Sequence, residues 1–246
     1  MIIGSELIFV ENAASTNTLA SELIQSNSPR EGTIIHTNYQ SHGKGRQGNR
    51  WESEDGKNLL FTIILYPEMI LPGKQFLISM ALSLGICDFL EGEVQNCSIK
   101  WPNDMYVNGR KIAGILIENS ISGNIIRSSI AGIGLNVNQV SFPAFSPEPV
   151  SMSMITRRIY DTGSCLSLLA ARLDKRYKQL IAGQENSIRD EYISRLYRYL
   201  EWSQFRDHTG VFTGRIFSVT GQGLLRIEKE GDQIQDYGFS EIEYIH

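Results

Sequence analysis

Asn108-Gly109 fixes the middle of this chain as a β-hairpin. An Asn-Gly pair readily takes the two left-handed conformations of a type I′ turn, and between apolar runs it is the strongest short hairpin signal. Met105-Tyr106-Val107 precede it and Lys111 to Glu118 follow. Ser122-Gly123-Asn124 makes a second turn into Ile125 to Val137, so these strands form an antiparallel meander. Asn58 to Tyr66 is apolar on both faces, as a central strand must be, and Thr33 to Thr37 is a short β-branched strand. Helices are expected over 15 to 27, with Ser15 at the N-cap, and over 75 to 90, where Phe76, Met80, Leu84 and Cys87 recur at helical spacing. Two more are expected over roughly 164 to 182 and 186 to 200. Residues 141 to 150, with Pro143, Pro147 and Pro149, read as an irregular connection. Beyond Trp202 the pattern changes to short strands with glycine punctuation: Val211 to Ile216, Gly223 to Lys229 and Gln235 to Tyr237. The expected class is α+β, a mixed and largely antiparallel sheet with helices on one side over residues 1–202, then a small β-barrel over 203–246.

Length and composition permit this division. The chain has 246 residues, room for one large domain and one small one, with 41% hydrophobic and 20% charged residues. No stretch has the ~18 consecutive apolar residues of a membrane span, and the N-terminus lacks the pattern of a signal peptide, so a cytoplasmic protein without membrane contact is expected. The net charge of −4 argues against a nucleic-acid-binding surface. Cys87, Cys97 and Cys165 lack metal-ligand spacing, and His36, His42, His208 and His246 form no cluster, so the cysteines read as reduced thiols.

Four segments carry chemistry. Gly43-Lys44-Gly45-Arg46-Gln47-Gly48-Asn49-Arg50-Trp51 follows a strand and mixes glycines with cations, either a loop that closes on an anion or a flexible surface loop. It is neither a Walker A sequence nor a dinucleotide fingerprint, because a strand and not a helix comes next. Its composition leads us to expect ordering on ligand binding. Ser15-Thr16-Asn17 places three hydrogen-bonding side chains at a helix start, where they cap the helix or floor a polar pocket. Lys100-Trp101-Pro102-Asn103-Asp104 is turn chemistry, while Lys111 opens an apolar strand in which Ala113 and Gly114 leave room over the backbone. A lysine there needs a partner, either Asp104 or an anionic ligand. Gly132-Ile133-Gly134-Leu135-Asn136-Val137-Asn138 marks a close approach to a strand, and its two asparagines are either turn residues or readers of a base edge.

In their order and spacing these segments resemble the biotin–protein ligase (biotin–[acetyl-CoA-carboxylase] ligase) family over nearly the whole chain. The resemblance implies a catalytic domain followed by an SH3-like barrel. It implies that biotin and MgATP give biotinyl-5′-AMP, which acylates one lysine of a biotin carboxyl carrier domain. By position, Ser15, Thr16, Asn17 and Gln40 would form the biotin pocket, with Gly43, Lys44, Gly45, Arg46, Lys111 and Gly114 closing over it. Arg46, Trp51, Asn103, Lys111 and Asn136 would line the ATP site. Lys111, Arg46 and Asp104 would be catalytic, with Asp104 also assisting through Mg²⁺. Many bacterial members carry arginine where Lys44 and Asn49 stand, so a bidentate contact is expected from Arg46 rather than Lys44. Bifunctional members carry a DNA-binding domain ahead of the segment that begins near Ser15, so a ligase without DNA binding is expected here, as a monomer or homodimer. A lipoate–protein ligase or octanoyltransferase is the nearest enzymatic alternative. A noncatalytic binder of nucleotide or single-stranded nucleic acid is the alternative of another class.

Overall fold

In a computed structural model, which describes residues 1–143 and 148–245, two sheets carry the architecture. The chain runs β1 (Leu7–Ala13), α1 (Thr16–Ser26), β2 (Ile34–Gln40), β3 (Leu59–Leu65), α2 (Phe76–Leu90), β4 (Cys97–Lys100), β5 (Asp104–Val107), β6 (Arg110–Ser122) and β7 (Ile125–Leu135). Then follow α3 (Met152–Thr156), α4 (Thr162–Ile181), α5 (Glu185–Ser194), β8 (Ser203–Asp207), β9 (Gly210–Val219), β10 (Leu225–Lys229), β11 (Gln233–Tyr237) and β12 (Glu243–Tyr244). The seven-stranded sheet has the order β1-β2-β3-β7-β6-β5-β4. Only the β1–β2 pair in it is parallel, joined through α1 as a parallel pair requires, and the other pairs are antiparallel. β3 is buried at all seven positions because it is central in the sheet, with helices against both faces.

Helices therefore cover both faces, not one. The apolar α2 and the helices α4 and α5 pack on the face that holds the main core, while α1 lies across β2, β3 and β7 on the other. Behind α1 sits a small second cluster of Ala20, Ile35, Ile64 and Ile130. That arrangement leaves much of the second face open beside α1, and the cleft described below lies there. The Pro72–Leu90 stretch has a mean hydropathy of 1.3 over its most apolar window, and 78% of that window is buried inside the protein, as befits a core helix.

Several expected elements shift for identifiable reasons. The helix expected to reach residue 200 stops at Ser194, because the chain beyond it joins the edge of β4: Ile99 N–H donates to Arg195 O and Tyr197 N–H to Ile99 O. Arg198 and Leu200 then take left-handed conformations. β1, β4, α3, β8 and β12 were not anticipated. The C-terminal strands form a five-stranded antiparallel sheet in the order β11-β10-β9-β8-β12, with β11 and β12 at its edges and no pairing between them among the described residues. A small β-barrel was expected there. Of the irregular connection over 141 to 150, Pro147 lies outside the described residues, as does His246.

One buried guanidinium ties the helical layer together. Arg176 on α4 is 8% exposed and forms paired hydrogen bonds with Asp88 on α2, at 2.6 and 2.7 Å, and with Glu191 on α5, at 2.6 and 2.7 Å. Those bonds hold the Glu191 carboxyl below its usual range. Arg176→Ala removes the paired hydrogen bonds to both carboxylates and leaves them only the more distant Arg195, 3.2 Å from Glu191 and 3.9 Å from Asp88, among the described residues. It is expected to cost about 3 kcal/mol at neutral pH, at the low end for a broken buried pair because Glu191 is partly exposed. A carboxyl with a depressed folded pKa stabilises above its unfolded value of about 4.3, and that contribution fades as the pH falls through the folded value. Urea titrations should therefore show the gap between wild type and variant narrowing below about pH 4.

Candidate active site

Backbone geometry prepares the cleft before any charged group enters it. Gly134 on β7 pairs with Gly114 on β6, and Gly132 pairs with Leu116, so one face of the paired strands carries almost bare backbone. A Cβ on Gly132 would collide with the Asn17 side chain, and one on Gly134 would strike the Trp51 indole, 2.7 Å from its Cδ2. Glycine is needed at both because another group lies directly on the strand.

The floor is a neutral hydrogen-bonding set. Ser15, Thr16 and Asn17 are 3%, 3% and 4% exposed at the start of α1. Ser15 occupies the N-cap position in an extended conformation, but its side chain makes no capping bond. Gln40, arriving at the end of β2, takes over instead: its Oε1 accepts from Thr16 N–H at 2.8 Å and from the Thr16 hydroxyl at 3.1 Å. Asn17 donates to Glu118 Oε2 at 2.7 Å, and the Thr62 hydroxyl lies 2.7 Å from both Asn17 Oδ1 and Thr16 Oγ1. Asn17 is thus a wall, held from three sides.

The glycine-and-cation run folds back over this floor. Its backbone is closed by Gly45 N–H to Asn49 O (2.8 Å), Asn49 N–H to Arg46 O (3.0 Å) and Trp51 N–H to Gly43 O (3.0 Å). The cleft so formed has a volume of about 240 Å³. It gathers Ser15, Thr16, Asn17, Gln40, Lys44, Gly45, Arg46, Trp51, Asn103, Asp104, Lys111 and Gly114, residues drawn from five separate stretches of sequence. Gly43 lies behind the lining as the acceptor for Trp51.

The charges converge at one end. Lys111 Nζ pairs with Asp104 Oδ1 at 2.7 Å and stands 5.6 Å from the centre of the Trp51 ring. Arg46 lays its guanidinium 4.3 Å over the ring of Phe239, and partial burial lowers its pKa against the opposing attraction of Asp104. Among the described residues Lys44 pairs only with the half-exposed Glu118, at 4.0 Å. The two loop cations are therefore unequal: Arg46 is drawn into the cleft and Lys44 stays at its rim.

Three expectations change. The space over Gly114 is not open, because the Trp51 ring lies 3.2 Å from where a Cβ would be, and Ala113 faces the core on the opposite side of the strand. Asn136 does not line the cleft; it is 3% exposed, and its amide donates to Val150 O at 3.1 Å, tying the end of β7 to the following chain. Asn138 likewise exchanges hydrogen bonds with the Tyr160 backbone, at 2.8 and 2.9 Å. Asn103 borders the cleft, yet its amide donates to Ile115 O at 2.7 Å, which extends the β5–β6 ladder past the end of β5. Three contributors were missed: Thr62, Glu118 and Phe239. A lone polar residue within the apolar Leu59–Leu65 run was a signal for Thr62, and Glu118 ends the strand expected over Lys111 to Glu118, whereas nothing in the sequence pointed to Phe239.

Comparison with known proteins agrees with this geometry. The family model described as the biotin/lipoate A/B protein ligase family matches residues 9–136. The bifunctional ligase/repressor BirA of Bacillus spizizenii is 31% identical over 235 residues, which cover 93% of this chain and 71% of that protein. The biotin–[acetyl-CoA-carboxylase] ligase of Paracoccus denitrificans is 31% identical over 193 residues, 74% of this chain and 78% of that one. A biotin protein ligase from Aquifex aeolicus, solved in complex with biotin and ATP, has the same fold, with a TM-score of 0.81 at 24% identity over 98% of this chain and 99% of that chain. A glycine-floored cleft with convergent cations, on a chain so similar to these relatives through most of their length, belongs to the biotin/lipoate A/B protein ligase family and, within it, to the biotin–protein ligases.

Proposed function

We propose that the cleft joins biotin to ATP and then passes the biotinyl group to a lysine of a biotin carboxyl carrier domain. The observation that carries this reading is the convergence of Arg46 and the Lys111–Asp104 pair on a pocket whose floor is neutral and hydrogen-bonding. Ser15, Thr16 and Gln40 suit a ureido head, which both donates and accepts hydrogen bonds, whereas a purely apolar acyl tail would offer no partner to the Ser15 hydroxyl or the Gln40 amide N–H groups. Biotin's carboxylate would then lie toward Lys111, with Gly45 and Arg46 above it and Trp51 bordering the nucleotide.

In the first step a carboxylate oxygen attacks the α-phosphorus of ATP, and the bond from that phosphorus to the bridging oxygen of pyrophosphate breaks. Two anions must approach each other, so the cations do most of the work. Lys111 lies between the expected positions of carboxylate and phosphate, and Arg46 offers a planar fork to phosphate oxygens. In the second step the acceptor amine attacks the acyl carbon, the bond from that carbon to the AMP phosphate oxygen breaks, and the amine's proton passes to Asp104 or to solvent. Asp104, held beside Lys111, is placed to orient that amine. Asp104 also fits as one ligand of the Mg²⁺ that travels with ATP, where the ion would neutralise phosphate charge. No cluster of three or more metal-ligating side chains exists among the described residues, so the remaining ligands would be phosphate oxygens and water. Ordering of residues 43–51 over bound ligand would keep water from the mixed anhydride. The boundary between residues 202 and 203 divides the large-sheet domain from a C-terminal unit that we assign to the SH3-like class, and the setting we assign to the enzyme is cytoplasmic.

Lys111→Ala should lower biotin-dependent ATP–pyrophosphate exchange by about 100-fold or more while leaving the circular dichroism spectrum unchanged. Exchange at the wild-type rate would exclude the role given to Lys111. Titration calorimetry should show heat of binding with biotin and none with lipoate or octanoate at equal concentration; the opposite preference would assign the cleft to acyl chains. Gly134→Ala forces the Trp51 indole off β7, and it should weaken biotin binding about tenfold in the same calorimeter, or about 1.4 kcal/mol, within the ~1–3 kcal/mol typical of overpacking.

A further inference from the structure

Arg46 has an unusual partner. Asp104 attracts it through charge alone, without a hydrogen bond, and its close contact is the face of Phe239, 4.3 Å from the ring centre. Phe239 belongs to the chain between β11 and β12, nearly two hundred residues downstream, and is 42% exposed. Its ring is fixed from behind by Trp101, at 5.2 Å, and by Phe76, at 5.9 Å. Trp101 is itself anchored to the C-terminal region, because its indole N–H donates to Gly223 O at 3.0 Å. Beyond Arg46 and Phe239 lies a second cavity of about 200 Å³, bordered by Ser79 and Gln222, so the stacked pair stands where the two cavities meet.

The chemistry of that contact matters. A carboxylate partner would occupy the guanidinium N–H donors and cancel its charge. A ring face holds the cation and leaves those donors free in the plane of the fork. We propose that Phe239 is a positioning residue for adenylate formation: it holds the Arg46 guanidinium at the cleft with its donors available to phosphate, and so makes the C-terminal sheet part of the active site. This rests on the role given to Arg46 in the proposed reaction.

The test is biotin-dependent ATP–pyrophosphate exchange with the full-length enzyme and the variants Phe239→Leu, Phe239→Tyr, Arg46→Ala and Arg46→Ala/Phe239→Leu. Leucine keeps an apolar side chain against Trp101 and Phe76 but removes the ring face. It should lower kcat about 3- to 30-fold, the span of a cation–π contact. Tyrosine keeps the ring and should restore kcat to within about twofold of wild type. In the Arg46→Ala background the leucine substitution should cost nothing further, since its effect passes through Arg46. An equal loss in both backgrounds would mark Phe239 as mere packing and overturn the inference. Wild-type exchange by Phe239→Leu beside a defective Arg46→Ala would also overturn it while leaving the reaction assignment intact. Wild-type exchange by Arg46→Ala would overturn the reading of Arg46 itself. An NMR measurement on the unaltered enzyme is independent of activity. The Arg46 Nε–H signal, identified by its disappearance in Arg46→Ala, should be shifted upfield by the ring current, and an unshifted signal would overturn the inference.

Discussion

Everything in the cleft is built on a strip of bare backbone where Gly114, Gly132 and Gly134 share one face of the large sheet. Side chains at these positions would fill the surface with their own atoms. Without them, Asn17 descends onto β7 from one side and Trp51 from the other, and the ground between them becomes a pocket. The hydrogen bonds of the floor follow from this close approach, because only at such range can Asn17 reach both Thr62 and Glu118. The strip has a cost in strand propensity. Flanking strands buried on both faces, β3 above all, supply the packing that offsets it.

Charge is arranged on this ground by contrast. Neutral donors and acceptors sit where α1 begins, and cations sit where β5 and β6 meet the folded-back loop. Arg46, Lys111 and Lys44 are restrained in three different ways: by an aromatic face, by a short ion pair and by a distant, solvated carboxylate. Solvated surface pairs contribute little and are screened by salt, whereas the two restrained cations keep their positions in a partly desolvated space. The same sequence motif therefore holds charges of unequal consequence.

The large sheet was legible because its signals are local. Asn108-Gly109 and the doubly apolar Leu59–Leu65 run each state a strand in a few residues, and β3, β5, β6 and β7 lie where the patterns put them. β1 was not legible, because it is a partly exposed edge strand whose apolar residues do not alternate with polar ones. The end of α5 was misplaced because its continuation is decided by Ile99, nearly a hundred residues earlier. Within the site, residues in contiguous motifs could be found, and most of them meet in one cleft. Asn136 was misplaced because its amide is claimed by Val150, across an irregular connection whose course no periodicity predicts. Phe239 was invisible for a related reason: its importance is a matter of which ring lies under which cation, and that is set by the docking of the second sheet.

The substitution of Gln40 for Ser15 as the partner of the first helical N–H joins two parts that the sequence presents as separate. Gln40 ends β2, and Ser41 and His42 carry the ladder on by donating to Ala13 O and Ala14 O. The base of the glycine-and-cation loop is thereby sewn to the start of α1, and lifting it would strip the helix of its cap. Any opening of the loop must then pivot beyond His42. The Gln40 amide belongs to this rigid frame, and Gly43 is the first residue of the run about which its cations could swing.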